Sequence, residues 1–303
     1  MQTIQQLLAS KPDNGDRQPV QYIGTVEAYD KWAEVYDSDG NFLQRLDTLE
    51  MRTLLPRFLN RVYARFSAQA ARPDNKITLL DLGCGTGRNT IQLFDALSQA
   101  SSQPGNPSTS AVEIVGLDAS PGMLDVARTA LQQATAASDS PSPRPHVSLG
   151  ILDLLNPGTS RTQLPASLRD YGAAGVLSTL VLEHIPARAF FEAAAGLMRA
   201  GAYLLVTNMH ADMGTRSQAG FTDPQSGVKI RPTSYCHSIQ DVLAAADAAG
   251  LEVEDIVGGE GEGGVLVKAV DEPLAKALGV RAEKWIGVEV WFGVCFRKRE
   301  EMK

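Results

Sequence analysis

A glycine-rich segment, LLDLGCGTGRNT, follows an apolar run and occupies residues 79–90. Its glycines alternate with other residues at Gly83, Gly85 and Gly87, and glycine allows a sharp turn and close approach of a ligand to bare main chain. The spacing is G-x-G-x-G, whereas a dinucleotide fingerprint has G-x-G-x-x-G and a P-loop ends in Gly-Lys-Ser/Thr. The segment therefore indicates a ligand site lined by backbone, with little support for phosphate binding.

Three histidines stand where a proton could be removed. His184 and His210 follow directly on apolar runs, in STLVLEHIP and LLVTNMH, and His237 follows a polar segment. Imidazole is suited to proton removal near neutral pH, although a structural or solvated histidine is the more common fate. We expect His210 or else His184 to act as the base, since His184 alternatively caps the helix that begins at Pro186.

Elements that could position these residues alternate along the chain from residue 76 onward. Apolar runs predict seven strands, at residues 76–83, 111–120, 146–155, 173–185, 202–210, 251–259 and 286–298. Helices are predicted between them, at residues 88–100, 120–133, 186–198 and 238–250. This alternation predicts an α/β fold with a doubly wound, mostly parallel, seven-stranded sheet, in which the alternating run at 286–298 is an edge strand.

One domain is expected, preceded by a loosely ordered leader. Its segments are a helical cap, a ligand-binding core, a lid, and a C-terminal helix with strands (leader 1–24, domain 25–303, cap 25–66, core 76–208, lid 209–236, C-terminal part 237–303). Breaks in the cap are expected near Gly40 and Pro56. The lid is predicted to be a hairpin around a turn at Pro224–Gly227.

Positive charge in the lid bears on whether the substrate is acidic. Arg216, Lys229 and Arg231 are most simply solvated cations, but an acidic substrate follows if all three point inward. Over the whole chain, 28 Lys and Arg against 35 Asp and Glu give a net charge of −7, which argues against a nucleic-acid partner. Contents of 44% hydrophobic and 21% charged residues are typical of a globular protein and exclude a disordered or fibrous one.

Cysteine usage and hydropathy indicate the compartment. The three cysteines are far apart and form no CxxC pair, which favours a reducing compartment over a disulfide framework or a zinc site. No run reads as a signal peptide or a membrane span. We therefore expect a cytoplasmic protein without a metal or a membrane partner, and the oligomeric state stays open.

The segment D-x-G-C-G-T-G at residues 81–87 resembles motif I of the class I S-adenosylmethionine-dependent methyltransferases. The chain follows that family's order of motifs from about residue 25 to residue 260. VLSTLVLEHIP (176–186) and YDKWAEVYD (29–37) resemble a motif and the cap helix of the small-molecule branch that includes the ubiquinone/menaquinone C-methyltransferases. The (D/N/S)-PP-(Y/F) signature of many nucleic-acid and amide N-methyltransferases is absent.

The resemblance implies S-adenosyl-L-methionine as the cofactor and assigns its contacts. Asp118 would accept hydrogen bonds from both ribose hydroxyls, Asp153 would accept from the adenine amine, and Met123 would lie near the adenine face. Asp81 would orient the methionine amino group. The turn glycines Gly83, Gly85 and Gly87 and two residues of the later motifs, Leu154 and Ser178, complete the implied set of cofactor contacts. Tyr29 and Tyr36 either close over the cofactor or belong to the core.

One departure from the family concerns spacing. Asp118 lies 35 residues after Gly83, where about 20 is usual in related folds. A Ser- and Pro-rich insertion at residues 98–110 accounts for most of the excess.

The activity implied by the resemblance is methyl transfer to a small molecule, in a pocket bounded by the N-terminal helix, the fourth strand and the lid. The insertions and the unfamiliar lid favour specialised metabolism by analogy. Three alternatives remain. The first is a cofactor-binding protein of the same fold that catalyses another reaction, such as a cyclisation, and the second is a regulatory or interaction protein. The third and least favoured is a macromolecular methyltransferase. O-, N-, C- and S-methylation are not distinguished, because the sulfonium already activates the methyl group and only some acceptors need a base.

Overall fold

The computed structural model describes residues 3–9, 20–67, 76–100, 112–137, 145–156, 163–257 and 261–300. The first elements are α1 (Ile4–Ala9), β1 (Val20–Tyr22), α2 (Thr25–Trp32), α3 (Phe42–Phe66), β2 (Ile77–Leu82), α4 (Arg88–Ala100), β3 (Val112–Asp118), α5 (Pro121–Ala137), β4 (His146–Ile151), α6 (Ala166–Tyr171) and β5 (Ala173–Thr179). They are followed by α7 (Ala187–Leu197), β6 (Met198–Met209), α8 (Ala211–Gly214), β7 (Phe221–Thr222), β8 (Lys229–Arg231), α9 (Ile239–Ala248), β9 (Leu251–Val253), β10 (Val265–Ala269), α10 (Glu272–Leu278), α11 (Val280–Glu283) and β11 (Glu289–Lys298). The insertion expected at 98–110 lies mostly outside the described residues. Among the described helices, none combines the length and the hydropathy needed to cross a bilayer.

The central sheet has the strand order β10–β11–β6–β5–β2–β3–β4, and β9 also pairs with β11. Strands from β6 to β4 are parallel to their neighbours, whereas β11 is antiparallel to β6, β9 and β10. The prediction of an α/β fold with a mostly parallel sheet is confirmed. The described sheet has eight strands rather than seven, because two short strands share one edge of β11: β9 pairs with residues 296–298 and β10 with residues 289–294.

The last strand lies inside the sheet, although its sequence pattern predicted an edge strand. β6 borders β11 on one side, and β9 and β10 border it on the other. Both faces of β11 are covered, since the consecutive residues Val290, Trp291 and Phe292 are all fully buried. A strand buried on both faces has a nearly continuous apolar run, and no charged residue interrupts residues 290–296.

The helical cap breaks near Gly40, as predicted, but not at Pro56. Gly40 has φ +76, and the side chain of Asn41 then caps the start of α3. Helix α3 continues through Pro56. An internal proline costs a helix about 3 kcal/mol or more, and the burial of its apolar face, including the fully buried Phe58 and Val62, offsets that cost.

A second, three-stranded sheet contains the predicted lid hairpin. Strands β7 and β8 pair antiparallel, and β1 adds to β8 in parallel. Ahead of β1, Ile4 in α1 is fully buried, and its backbone N–H donates to the carbonyl of Ser234 at 2.8 Å. The described parts of the expected leader, residues 3–9 and 20–22, therefore have regular structure, because the lid offers them backbone partners.

Candidate functional site

The glycine-rich segment forms the turn between β2 and α4. Gly83 has φ +75, and a Cβ at this position would lie 2.3 Å from Cγ2 of Val181, so only glycine fits here. Gly85 has φ +54, and no described atom lies within 4 Å of the place its Cβ would take. The open side of the turn therefore presents bare main chain to a neighbouring cavity.

The carboxylate of Asp118, at the end of β3, is held against this turn. Its Oδ2 accepts from the backbone N–H of Gly85 at 2.8 Å, and its Oδ1 accepts from that of Ser120 at 2.8 Å. Burial raises the pKa of Asp118, and the hydrogen bonds from the backbone of Ser120 and Gly85 counteract the shift. Because each carboxylate oxygen can accept two hydrogen bonds, both oxygens retain capacity for two donors of a ligand.

A cavity of about 450 Å³ lies over the turn and is here called the glycine-turn cavity. Its volume falls in the range that encloses a cofactor-sized ligand. The residues predicted from sequence that line it are Tyr29, Tyr36, Gly83, Gly85, Asp118, Met123, Asp153, Leu154 and His184. Its floor and far wall also contain apolar residues that the sequence analysis did not single out: Val26, Leu152, Leu180, Val181 and Ile185.

Asp153 is arranged differently from Asp118. Its Oδ1 accepts from the backbone N–H of Leu155 at 2.8 Å, and its Oδ2 accepts from the side-chain amide of Asn156 at 2.9 Å. Asp153 thus stabilises the turn after β4 while it also lines the glycine-turn cavity.

Three of the predicted cofactor residues lie outside the wall of the glycine-turn cavity. Asp81 is buried, and its Oδ2 accepts from the hydroxyl of Thr90 at 2.6 Å. Ser178 donates to the carbonyl of Leu82 at 2.8 Å, and Gly87 faces Ala127 of α5. Each of them therefore holds a strand end or the turn in position. Burial raises the pKa of Asp81 to about 6, and the hydroxyl of Thr90 opposes the shift.

A second cavity, of about 320 Å³, adjoins the first beneath β7 and β8 and is here called the lid cavity. Tyr29, Tyr36 and Leu180 line both cavities. Leu180 has φ +58, the one positive φ among the described non-glycine residues. Such a conformation is strained for leucine, and strain of this kind concentrates at functional sites. Leu180 thus marks the boundary at which the contents of the two cavities would meet.

Tyr29, His184 and Glu183 form a connected group at this boundary. The Tyr29 hydroxyl lies 2.7 Å from Nε2 of His184, and Nδ1 of His184 lies 3.0 Å from the carbonyl of Thr233. Because a carbonyl only accepts, Nδ1 carries the proton and the Nε2 of a neutral ring accepts from Tyr29. Burial raises the pKa of Tyr29 well above its usual value, with smaller contributions from Tyr36 and Glu183, so its hydroxyl keeps its proton.

Glu183 is a functional candidate that sequence reasoning missed. It is 4% exposed and lines the lid cavity. Its Oε1 lies 3.3 Å from Nε2 of His184, and its Oε2 is buried without a hydrogen-bond partner among the described residues. A buried carboxylate oxygen of this kind is costly unless a ligand supplies a donor. Its position directly before His184 was the available signal.

His210 and His237 lie outside the walls of both cavities. Nδ1 of His210 accepts from the backbone N–H of Asp212 at 3.2 Å and so caps α8, and Nε2 lies 3.5 Å from Glu289. The structure therefore does not bring His210, the preferred candidate for the base, to either cavity, whereas His184 lines the glycine-turn cavity. The group His210, Asp212 and Glu289 could offer ligand atoms to a metal ion, but both acids are exposed and we assign it no metal. Nε2 of His237 is 3.0 Å from the carbonyl of Ile185, a structural contact.

Two carboxylates of the helical cap hold it against the core. Asp30 on α2 accepts from the Ser120 hydroxyl at 2.6 Å, at the start of α5. Asp47 on α3 is fully buried and forms an ion pair of 2.7 Å with Arg88, the first residue of α4. These contacts position Tyr29 above the glycine turn.

Comparison with known proteins agrees with this geometry. A family model described as a methyltransferase domain matches residues 73–138. A curated relative, an uncharacterized methyltransferase of Emericella nidulans, is 49% identical over 300 residues, which cover 97% of this chain and 99% of the relative. Two solved structures illustrate the fold-level likeness. The [4+2]-cyclase SpnF is 14% identical with a TM-score of 0.54, over 93% of this chain and 99% of its own. A SAM-dependent methyltransferase of Methanosarcina mazei is 13% identical with a TM-score of 0.47, over 78% of this chain and 98% of its own.

Proposed function

The chain belongs to the class I S-adenosylmethionine-dependent methyltransferases, and from this premise we propose that it methylates a small molecule bound in the lid cavity. The observation that carries the proposal is the pair of adjoining cavities that share Tyr29, Tyr36 and Leu180. Methyl transfer is an in-line displacement, so the enzyme's main task is to align two bound molecules across one boundary and to exclude water.

The residues of the glycine-turn cavity fit the cofactor. The free hydrogen-bonding capacity of Asp118 suits two ribose hydroxyls, and Asp153, Leu154 and Met123 lie where an adenine ring would be enclosed. We propose that Asp81, Gly87 and Ser178 act indirectly, by holding the turn and the strand ends. When bound, S-adenosyl-L-methionine supplies a methyl group that its sulfonium has already activated.

We assign proton removal, where the acceptor requires it, to Glu183 and His184. Glu183 lines the lid cavity, its Oε2 has no hydrogen-bond partner among the described residues, and its Oε1 is 3.3 Å from Nε2 of His184. A proton that leaves an acceptor O–H or N–H would be received by the carboxylate of Glu183 and passed on to the lone pair on Nε2 of His184, 3.3 Å away. General-base assistance of this type contributes about 10²- to 10⁴-fold to a rate.

The place of action that we propose is the cytoplasm, because all three cysteines are free thiols, two of them buried. A reducing compartment keeps such thiols in that state.

The direct test is incubation with S-adenosyl-L-methionine that carries a labelled methyl group, together with a fractionated metabolite extract. Label in a product of low molecular mass supports the proposal. Label in protein or nucleic acid alone contradicts it. Binding of the cofactor with consumption of a metabolite but no label transfer would favour a cyclisation, the reaction named for SpnF, which has the same fold.

A further inference from the structure

The lid cavity is rich in positive charge, although the chain as a whole carries −7. Lys229 and Arg231 lie two residues apart on β8, and so on the same face of the strand, and both are half-buried in the cavity wall. Arg281 and Lys284, on and just after α11, are exposed and line the same cavity.

These four cations lack acidic partners. Among the described residues, no carboxylate oxygen lies within 4.0 Å of their charged nitrogens. Lys229 donates to the carbonyl of Gly220 at 2.9 Å, and Arg281 donates to that of Asp39 at 2.6 Å. Nε of Arg231 is buried without a hydrogen-bond partner in the described structure. The two carboxylates of the cavity wall, Asp39 and Glu183, leave four cations against two acids.

The electrostatic cost of gathering these four cations is visible at Lys229. Burial lowers the pKa of Lys229, the neighbouring Arg231 and Arg281 lower it further, and Asp39 opposes the shift. Like charges gathered in a partly buried site repel one another, and an anion bound among them would relieve that repulsion.

Aromatic side chains line much of the remaining wall, beside the polar residues Asn41, Ser217 and Gln218. Trp32, Tyr36, Phe42 and Trp285 face the cavity together with Met209. Flat side chains of this kind accommodate a planar apolar body, and the polar groups of such a pocket then fix its orientation.

We propose that the acceptor is a planar, largely apolar acid whose anionic group binds to Lys229 and Arg231, with Arg281 and Lys284 attracting it at the cavity entrance. The inference rests on the proposed function, because it takes the lid cavity as the acceptor site. In this orientation the anion occupies the lid side, and the group to be methylated faces Glu183 and Leu180 at the boundary with the glycine-turn cavity.

The test uses two probes of similar shape, one anionic and one neutral. The binding of 3-hydroxy-2-naphthoate and of the neutral 3-hydroxy-2-naphthamide to protein saturated with S-adenosylhomocysteine is measured by calorimetry. We expect the acid to bind at least about tenfold more tightly than the amide, as for a charge-assisted hydrogen bond. The preference should fall to less than about threefold in the double variant Lys229→Gln/Arg231→Gln. Arg216→Gln is the matched control, because Arg216 belongs to the same lid but is exposed and lies outside the cavity wall, and it should keep the full preference.

Equal affinity for acid and amide, failure of both to bind, or an unchanged preference in the double variant would each overturn the inference. Affinity for S-adenosylhomocysteine and the thermal midpoint, measured on every variant, separate a lost anion site from a lost fold. The proposed function fails separately: preference for the acid without label transfer to any acceptor contradicts methyl transfer, whereas label transfer without that preference contradicts the acid site.

Discussion

The hydroxyl of Tyr29 lies 2.7 Å from Nε2 of His184, although 155 positions separate the two residues in the chain. The contact joins helix α2 of the cap to the short 3₁₀ helix Leu182–His184 that follows β5. Since Tyr29 lines both cavities and His184 lines the glycine-turn cavity, the bond lies where the reacting groups of cofactor and acceptor would meet. It therefore joins the helical cap to the residues after β5, at the boundary where we propose that methyl transfer takes place.

Replacement of the proposed proton acceptors should slow turnover. Glutamine retains hydrogen-bonding groups but takes no proton at neutral pH, so His184→Gln and Glu183→Gln are each expected to lower turnover by about 10²- to 10⁴-fold with an acceptor that must lose a proton. His210→Gln is the matched control and should retain turnover, since His210 caps α8 outside both cavities. The measurement is the initial rate of label transfer, with the affinity for S-adenosylhomocysteine measured on each variant.

Near-full turnover in both the Glu183→Gln and the His184→Gln variants would refute the assignment of a base. The acceptor would then be one, such as a neutral amine or a thiolate, that needs no protein base.

The second prediction concerns the ribose contact. Asp118→Ala removes a carboxylate that accepts from two backbone N–H groups and, as we propose, from two ribose hydroxyls. Loss of hydrogen bonds to a charged acceptor should weaken the binding of S-adenosylhomocysteine by about 2–3 kcal/mol, which is about 30- to 150-fold. Calorimetric titration with S-adenosylhomocysteine measures this loss of affinity. Asp125→Ala, on the exposed side of α5, is the control and should bind as the parent does. An unchanged dissociation constant in a folded Asp118→Ala variant would exclude the contact.

The third prediction concerns closure of the lid. The sheet β1–β8–β7 consists of strands of three, three and two residues, and such a small unit opens at low free energy. We expect amides of residues 209–236 to exchange quickly in the free protein and slowly with cofactor and acceptor bound, as in lids that close on substrate. Hydrogen-exchange mass spectrometry measures this, and peptides from β2 and β5 serve as the internal reference. Uniformly slow exchange in the free protein would identify a fixed hairpin instead.

Local chemistry made part of the lining of the glycine-turn cavity predictable. The turn glycines and Asp118 follow buried strands within short segments, and chain order alone brings the carboxyl ends of parallel strands to one edge. The alternation of strands and helices likewise indicated the sheet. Asp81 and Ser178 belong to the same motifs, but their side chains turn to Thr90 and to the Leu82 carbonyl, a choice that depends on packing rather than on pattern.

Non-local contacts account for what the sequence did not reveal. The pairing of β1 with β8 places Val20 opposite Lys229, and no local pattern specifies such a pairing. The positive φ of Leu180 arises where β5 meets the glycine turn, at a residue type that normally avoids it. Glu183 attracted no notice because a single glutamate at the end of a predicted strand is usually solvated, and only the assembled site shows it buried.

The last prediction concerns Asp81 and the pH dependence of stability. The pKa of Asp81 is raised from 3.8 to about 6, chiefly by burial. Between about pH 4 and pH 6 the native protein therefore binds more protons at this site than the unfolded chain, and the free energy of unfolding falls as pH rises through that window. Above it the full penalty applies, on the order of 1–3 kcal/mol. Below about pH 4 the group is protonated in both states and contributes no difference.

An asparagine side chain in place of Asp81 would not ionise, and its amide oxygen can still accept from the Thr90 hydroxyl. We therefore expect Asp81→Asn to raise the free energy of unfolding at pH 7.5 by about 1–3 kcal/mol, with the gain shrinking to zero as pH approaches 4. Urea denaturation from pH 4 to pH 8 measures the difference, and Asp125→Asn, at an exposed carboxylate, controls for the general change in net charge. Stability equal to or below that of the parent at pH 7.5 would show that the ionised carboxylate is not the destabilising form.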